Sequence, residues 1–573
     1  MTPKVWNFAP ESPPERLAAF AGVAPTVAQV LVNRGHTDPD VALRWLQSDD
    51  WREGGFANYT LRKPIDAAAD RLRRAVRDGE LIIVYGDFDA DGVSSTALMV
   101  QALRALGGNV KAYIPNRIDE GYGVNPESLY MLKDYGARVI VTVDCGIRSV
   151  DEVALCNELG MCMIVTDHHS VGDARPAAYA LINPKLDDVE YSEPMLAGVG
   201  VAFRLSELLL EGSRAPLRPE ELLDLVAIGT VADLAPLSSA ENRALVRAGL
   251  KVMQKAHRPG VRALLQVSGI APEDLNASSI GFGLGPRINA AGRLTHARQA
   301  YQLLITDDDG EAARLASELQ GLNVERQRLT REAQDLIRAQ LSSDGLLEAP
   351  LIFAGHPEFR EGIVGLVAGR LTEEFHRPSA VLHQGPEVSR ASCRSIPGFH
   401  ITHALDACSD LLVRHGGHAQ AAGFTVRNEH IPELKARLTA IAQTELATVD
   451  LRPKLEIDRV LKPREMTLTL ADELRLLEPT GAENAQPLFA ARNLRVTDMQ
   501  TVGRDGQHLR FALRDDATEI VFGAIGFRMG GNGAYRPTPG DCVDAAFQLE
   551  LNTWRGETKL QLRLEDLRPA EPF

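Results

Sequence analysis

Between about residues 60 and 250, short apolar runs alternate with amphipathic stretches. LIIVYGDFD, NVKAYIPN, ARVIVTVD, CMIVTD and AYALIN have strand length and are nearly all apolar, while VSSTALMVQALRALG and NPESLYMLKDYG between them carry helical spacing. Runs that are apolar on both faces belong to strands covered on both sides, so the series predicts βαβ units and a parallel sheet. Farther on, Leu315, Leu319, Leu322, Leu329, Ala333 and Leu336 recur at three- and four-residue spacing. They predict one long amphipathic helix over 308–342, roughly 50 Å long at ~1.5 Å per residue, which Gly321 is able to bend. A second mixed α/β stretch runs from LIFAGHPEF to about 445. Beyond it, LEIDRVL, LFAARNLRVTDMQTV, LRFALRD, EIVFGAIGF, DCVDAAFQLELNTW and KLQLRLEDL read as short strands of a small barrel of the OB type. The first 50 residues show short helical patterns around prolines, PTVAQVLVNRG and DPDVALRWLQ. The organisation expected is a helical lead-in at 1–55, an α/β lobe at 56–250, a helical connection at 251–345, a second lobe at 346–447 and a β module at 448–573.

Composition agrees with a modular globular chain. At about 150 residues per domain, 573 residues predict about four domains. Hydrophobic residues at 45% and charged residues at 24% exclude a disordered, collagen-like or disulfide-stapled protein. No apolar run reaches the ~18 residues a membrane span needs, and the start MTPKVWNFAPESPPERL has no signal-peptide character, so a cytoplasmic protein without a membrane partner is expected. The six cysteines include no CxxC pair, which removes a zinc ribbon and a thioredoxin-type site. None of the 11 lysines follows a glycine, so the ATPase phosphate loop is absent. Net charge −15 argues against indiscriminate coating of nucleic acid, but carboxylates gathered around metals also make a chain acidic.

Chemistry collects where the five strands end. Asp87, Asp89 and Asp91 follow the first, Asn116 and Arg117 the second, Asp144 the third, Asp167, His168 and His169 the fourth, and Asn183 the fifth. In a parallel sheet that edge is the ligand-binding edge. Alternate residues of DFDADG project to one side, so at least two of its carboxylates can meet on a hard cation. It is not an EF-hand, because Leu98 stands sixth after Gly92 and a strand precedes the motif. Asp233 adds another acid at the end of the apolar run LVAIGTVA. Carboxylates with imidazoles point to Mn²⁺, Mg²⁺ or Zn²⁺, without a thiolate zinc site, and this many acids in one place make a two-cation site the economical reading.

In order, VYGDFDADGVSS, VTVDCG, VTDHHS and VADLAP resemble the four signature motifs of the DHH phosphoesterase superfamily, and SCRSIPGFH with RHGGHAQAAGF resembles its accessory DHHA1 lobe. PRINAAGRL and the C-terminal β module further resemble the RecJ family, bacterial single-strand-specific 5′ to 3′ exodeoxyribonucleases. The resemblance spans about residues 60–570. It implies an α/β fold: a two-lobed DHH/DHHA1 phosphoesterase core with a parallel sheet, a long connecting helix and a C-terminal OB-like barrel. By position it implies Asp89, Asp91, Asp144, His168 and Asp233 as ligands of two Mn²⁺ or Mg²⁺ ions, with Asp87 and His169 sharing or supporting them. Phosphatases of the superfamily carry a histidine four residues before the DxD, where this chain has Tyr85. That leaves the first metal weaker or more dependent on Asp87.

Further residues suit phosphate handling. Paired glycines in Gly416-Gly417-His418 let backbone amides approach a phosphate oxygen, and His418 can add a hydrogen bond. Ser392 and Arg394 form a hydroxyl and guanidinium pair fit for a terminal phosphate, which Arg117 can join. Arg287, Asn289 and Arg293 of PRINAAGRL read as backbone contacts to substrate, with structural ion pairing almost as good an account of each. Trp554, Phe511 and Phe527 can stack bases, although aromatics in small barrels are more often core. The reading is therefore a metal-dependent exonuclease acting on single-stranded, preferably 5′-phosphorylated, DNA in recombination and repair. It is expected to be a monomer, with a helicase and a single-strand-binding protein as partners. The alternatives are a nanoRNA or small-nucleotide phosphatase and a non-catalytic DNA-binding scaffold.

Overall fold

The five apolar runs form one parallel sheet in the order Val110–Tyr113, Ile82–Tyr85, Val139–Val143, Cys162–Thr166 and Ala180–Ile182. This arrangement comes from a computed structural model that describes residues 4–47, 50–52, 62–189, 191, 193–343, 345–503, 506–531, 535–554 and 556–570. Successive strand side chains serve opposite faces, as the two-residue period requires. Ile82, Val84, Val139, Val141, Val143 and Ile164 enter one core with the helices Ala90–Ala105, Gly198–Leu210 and Leu223–Ala232. Ile83, Tyr85, Ile140, Met163 and Val165 enter another with Pro126–Asp134 and Val150–Glu158. All five strands run the same way, so their carboxyl ends and the polar residues that follow them share one edge.

The connecting helix runs unbroken from Asp309 to Ser343, 35 residues, with Gly321 inside it. Leu315 and Leu319 belong to the core of the first lobe, while Ala333, Ile337 and Leu341 pack with Ile363 and Val367 of the second. One helix thus stitches two cores together. The expected core position Leu336 is 37% exposed. The buried row in that half runs Ala333, Ile337, Leu341, and Leu336 lies about 100° round the helix from Ile337. The second lobe is a five-stranded sheet ordered Leu412–Gly417, Ala421–Arg427, Val388–Arg394, Ser379–Gln384 and Ile352–His356, antiparallel except for the last pair.

Residues 1–48 and 452–573 make up a separate compact unit. Phe489–Val502, His508–Arg514, Val521–Gly526, Glu557–Pro569 and Cys542–Trp554 pair in that order, and pairing of the first with the last closes a five-stranded barrel. The lead-in is more than helical: Val5–Phe8 forms a strand parallel to Lys454–Ile457. A four-residue run whose partner lies at the other end of the chain has no local signature. Phe20, Val27, Leu31 and Trp45 of the lead-in share a core with Phe489, Phe511 and Phe547. Phe511 is therefore packing, whereas Phe527 is 51% exposed with the Arg563 guanidinium 5.8 Å from its ring centre. The Trp554 side chain lies outside the described residues. Among those residues, no helix is long and apolar enough to cross a membrane.

Candidate metal centre and phosphate site

At the end of Ile82–Tyr85 the chain turns directly into the helix Ala90–Ala105, and the three acids of DFDADG take three different tasks. Asp89 caps that helix, its carboxylate accepting from the Asp91 and Gly92 amides at 2.9 and 3.0 Å. Asp91 reaches across to the start of Gly198–Leu210 and accepts from the Gly198 and Val199 amides at 2.7 and 2.9 Å, where the helix dipole favours an anion. Asp87 is buried and its Oδ1 has no hydrogen-bond partner. Two glycines bring the acids together. A Cβ at Gly198 would lie 2.5 Å from Asp144 Oδ1, and one at Gly229 would lie 2.5 Å from Asp91 Oδ1.

Asp144 ends Val139–Val143 with φ of 63°, a left-handed conformation that an aspartate adopts only at some cost. Its Oδ1 is 3.2 Å from His168 Nε2 and 3.9 Å from His169 Nδ1. His168 Nε2 also stands 3.8 Å from Asp233 Oδ2 and 4.0 Å from Asp91 Oδ2. The donors form three groups able to hold a cation: Asp144 with His168 and His169, Asp91 with His168 and Asp233, and Asp87 with Asp89 and Asp144. Asp87 Oδ1, Asp144 Oδ1 and His168 Nε2 are all buried without a hydrogen-bond partner. Convergent orphaned oxygens and an imidazole nitrogen are what hard divalent ions bind, so the donor set fits the expected cations. Asp167 stands apart from these groups. Its carboxylate accepts from the Ile147, His168 and His169 amides and meets His169 Nδ1 at 2.8 Å, which fixes the His-His pair.

The electrostatics point the same way. Burial, then the neighbouring carboxylates, pushes the Asp87, Asp91 and Asp144 carboxyls well above the usual range. Asp233 rises to about 7 through burial and Asp89. His168 falls to about 3 through burial and the His169 charge, so its ring is neutral and free to donate a lone pair. Burial also works against the charged ring of His169, but Asp167 holds it above its ordinary value. These acids cannot all ionise side by side without counter-charge.

Arg117 and Arg293 interact with this cluster, and Arg394 interacts with both of them. Arg117 lies over the Phe88 ring at 4.7 Å and interacts with Asp87 and Asp89. Arg293 donates to the Gly362 carbonyl at 3.2 Å, where the lobes cross so closely that a Cβ at Gly362 would fall 2.0 Å from the Arg293 carbonyl. Burial, then the charges of Arg117, Arg326 and Arg394, lowers Arg293 to about 9, which marks a cationic cluster open to an anion. Arg394 donates from Nη1 to the Cys393 carbonyl at 2.8 Å. Its Nη2 and the Ser392 hydroxyl both face Gly365, where a Cβ would lie 3.5 and 3.4 Å from them. Ser392, Gly423 and Gly416 stand in register across three strands, which puts Gly416 on the same sheet row as the hydroxyl. A Cβ at Gly416 would meet nothing within 4 Å, whereas Gly417, with φ of 149°, would clash with the Ala421 carbonyl at 2.4 Å. His418 is exposed just past them, and its backbone holds the turn through Ala421 and Thr402.

Two of the PRINAAGRL residues are used by the fold. Arg287 donates to Gln320 Oε1 and to the Gly283 and Val267 carbonyls, a helix-to-helix tie. Asn289 Oδ1 accepts from the Ala90 amide at 2.8 Å, and a Cβ at Gly292 would fall 2.4 Å from the Phe88 carbonyl. This helix clamps the DFDADG turn from outside. Tyr85 offers nothing to the acids. Its ring is buried, and its hydroxyl donates to the Gly123 carbonyl, accepts from Asn125 and meets Ser128, each at 3.2 Å.

The comparisons with known proteins agree with this geometry. The DHH family N-terminal domain matches residues 81–230, the DHHA1 domain 348–444 and the RecJ OB domain 457–566. The chain is 40% identical over 532 residues to the single-stranded-DNA-specific exonuclease RecJ of Salmonella typhimurium, covering 88% of this chain and 90% of that protein. The chain belongs to the RecJ family. The Bacillus subtilis RecJ exonuclease is 36% identical over 551 residues, 96% of this chain and 68% of its own length. The crystal structure of Thermus thermophilus RecJ in complex with Mn²⁺ superposes with a TM-score of 0.84 at 32% identity, covering 99% of this chain and 80% of that one. The same protein in complex with Mg²⁺ gives 0.77 at 30% identity, covering 99% and 79%.

Within this RecJ-family framework, two residues near the acids escaped the sequence reading. Lys185, half-buried, interacts with Asp233 and Asp167. It follows the fifth strand in INPK, and that position at the ligand-binding edge was its available signal. The Tyr122 hydroxyl lies 3.0 Å from His169 Nδ1. It comes from a glycine-flanked loop with no pattern to announce it.

Proposed function

We infer that the chain is a divalent-metal-dependent exonuclease that hydrolyses phosphodiester bonds of single-stranded DNA from the 5′ end. The observation that carries this reading is the sharing of Asp144 between two donor groups and of His168 between two, opposite the Arg117, Arg293 and Arg394 guanidiniums. Asp87, Asp89, Asp91, Asp144, His168 and Asp233 would hold two Mn²⁺ or Mg²⁺ ions, Asp144 being common to two of the donor groups. When bound, the ions supply an activated water and neutralise charge on the attacked phosphate. Asp167 keeps His169 oriented beside that phosphate. Ser392, Arg394, Arg117 and Arg293 bind the terminal 5′ phosphate, which places the first internucleotide bond over the acids and sets polarity. Gly416 leaves room for a phosphate oxygen, Gly417 makes the tight turn beside it, and His418 supplies a hydrogen bond to that oxygen. The barrel holds the trailing strand through Phe527, a task with no counterpart in a small-nucleotide phosphatase. We place the enzyme in the cytoplasm as a monomer that receives single-stranded ends from a helicase and single-strand-binding protein.

Equilibrium dialysis tests the metal reading without any assay of activity. Two Mn²⁺ per chain are expected, and a chain that takes up none overturns the assignment. Stability gives a second check. The raised Asp87, Asp91, Asp144 and Asp233 carboxyls mean that the folded metal-free chain binds more protons than the unfolded one, so stability falls as pH rises. His168 acts oppositely, but only below its unfolded value of about 6.5. The melting temperature of metal-free protein should therefore drop from about pH 6.5 upward, through the Asp233 value of about 7, and Mn²⁺ should raise it more at the alkaline end.

A further inference from the structure

The two most exposed large apolar side chains among the described residues are Phe282, at 87%, and Leu234, at 72%. Leu234 adjoins Asp233 in sequence, the turn that carries Phe282 packs on the two residues before Asp233, and uncommon backbone puts each of them there. Leu234 directly follows Asp233 at the end of Leu223–Ala232, with φ of 60°, a region that branched side chains seldom enter. Phe282 sits in the middle of a π-helical turn, Ser279–Leu284, a rare form that is frequent at functional sites. Its neighbours Ile280 and Leu284 are fully buried, so the turn is anchored on both sides of the exposed ring. Glycines let that turn lie flat. A Cβ at Gly283 would meet Ile270 Cδ1 at 2.7 Å, one at Gly281 would touch Val231 Cγ1 at 3.8 Å, and one at Gly285 would touch Ala232 Cβ at 3.4 Å. The turn is therefore seated on Val231 and Ala232, the residues just before Asp233.

The helix Gly285–Leu294 gives the cleft a direction. Arg293 stands near its C-terminal end, whereas the π-helical turn that carries Phe282 leads into its N-terminal end, against Val231 and Ala232. A strand whose terminal phosphate is held by the arginines and whose first internucleotide phosphate lies over the acids leaves past Asp233. We propose that Phe282, with Leu234, forms a platform for the nucleobase on the 3′ side of the bond to be cut. This rests on the exonuclease reading above. An unpaired base has a free π-face for such a platform, whereas a base in a duplex already spends both faces on its neighbours. The platform would thus contribute to single-strand preference as well as to affinity.

Equilibrium binding separates this proposal from the exonuclease reading. Fluorescein-labelled, 5′-phosphorylated single strands would be titrated with Asp144→Asn protein, which should bind without cutting, with and without Phe282→Ala. The expected result is roughly a tenfold rise in Kd on Phe282→Ala for a strand with normal bases, and little change when the second and third nucleotides are abasic. Phe282→Trp should keep the affinity of the parent. Equal Kd values with and without Phe282→Ala, or equal losses on normal and abasic strands, overturn the platform. A wild-type chain that fails to cut any single strand overturns the exonuclease reading, whichever way the Kd values fall.

Discussion

Asp144→Asn lowers single-strand digestion by about a thousandfold or more at saturating Mn²⁺, equivalent to ~4 kcal/mol of transition-state stabilisation. The expectation follows from where the carboxylate sits. Its Oδ1 is buried without a hydrogen-bond partner, 3.2 Å from His168 Nε2, and the residue belongs to two of the three donor groups. The amide keeps the volume beside Gly198 but loses the charge that would hold two ions. The metal-free variant should melt no lower than wild type, because one of several mutually repelling buried acids is gone. Rate and circular dichroism together check this, and a folded variant within tenfold of wild type counts against the shared-ligand role.

Arg394→Ala weakens binding of 5′-phosphorylated strands by roughly 1.5 to 3 kcal/mol, about a tenfold to hundredfold rise in Kd. Strands with a 5′ hydroxyl lose little. The guanidinium has one hydrogen bond to its own strand, at the Cys393 carbonyl, and it stands among Arg117 and Arg293, which gain by an anion as it does. Paired titrations of phosphorylated and unphosphorylated strands decide the matter. Equal losses on both would assign Arg394 to the general backbone or to the fold.

The parts of this molecule that could be read from sequence are those with a local cause. Buried parallel strands must be apolar on both faces, so VIVTV and MIVT announce themselves, and the acids and histidines that follow them fall on one edge by topology alone. Residues whose task depends on a distant partner could not be read in that way. Asn289 caps the Ala90 amide and Arg287 ties two helices, and nothing in PRINAAGRL separates those duties from substrate binding. The strand Val5–Phe8 finds its partner at Lys454–Ile457. Gly198 and Gly229 matter because Asp144 and Asp91 press against them, a closeness that only folding creates. Leu336 shows the converse, a periodic position that turns away once Ile337 takes the core.

The most direct test of the central claim is digestion of one single-stranded DNA labelled at either end. A 5′-phosphorylated strand would be incubated with wild-type protein in Mn²⁺, Mg²⁺ or EDTA, beside a blunt duplex of the same sequence. The predicted result is mononucleotide released at once from the 5′ label, a ladder shortening toward the 3′ label, little action on the duplex, and none in EDTA. Digestion that persists in EDTA, or that begins at the 3′ end, would contradict the account.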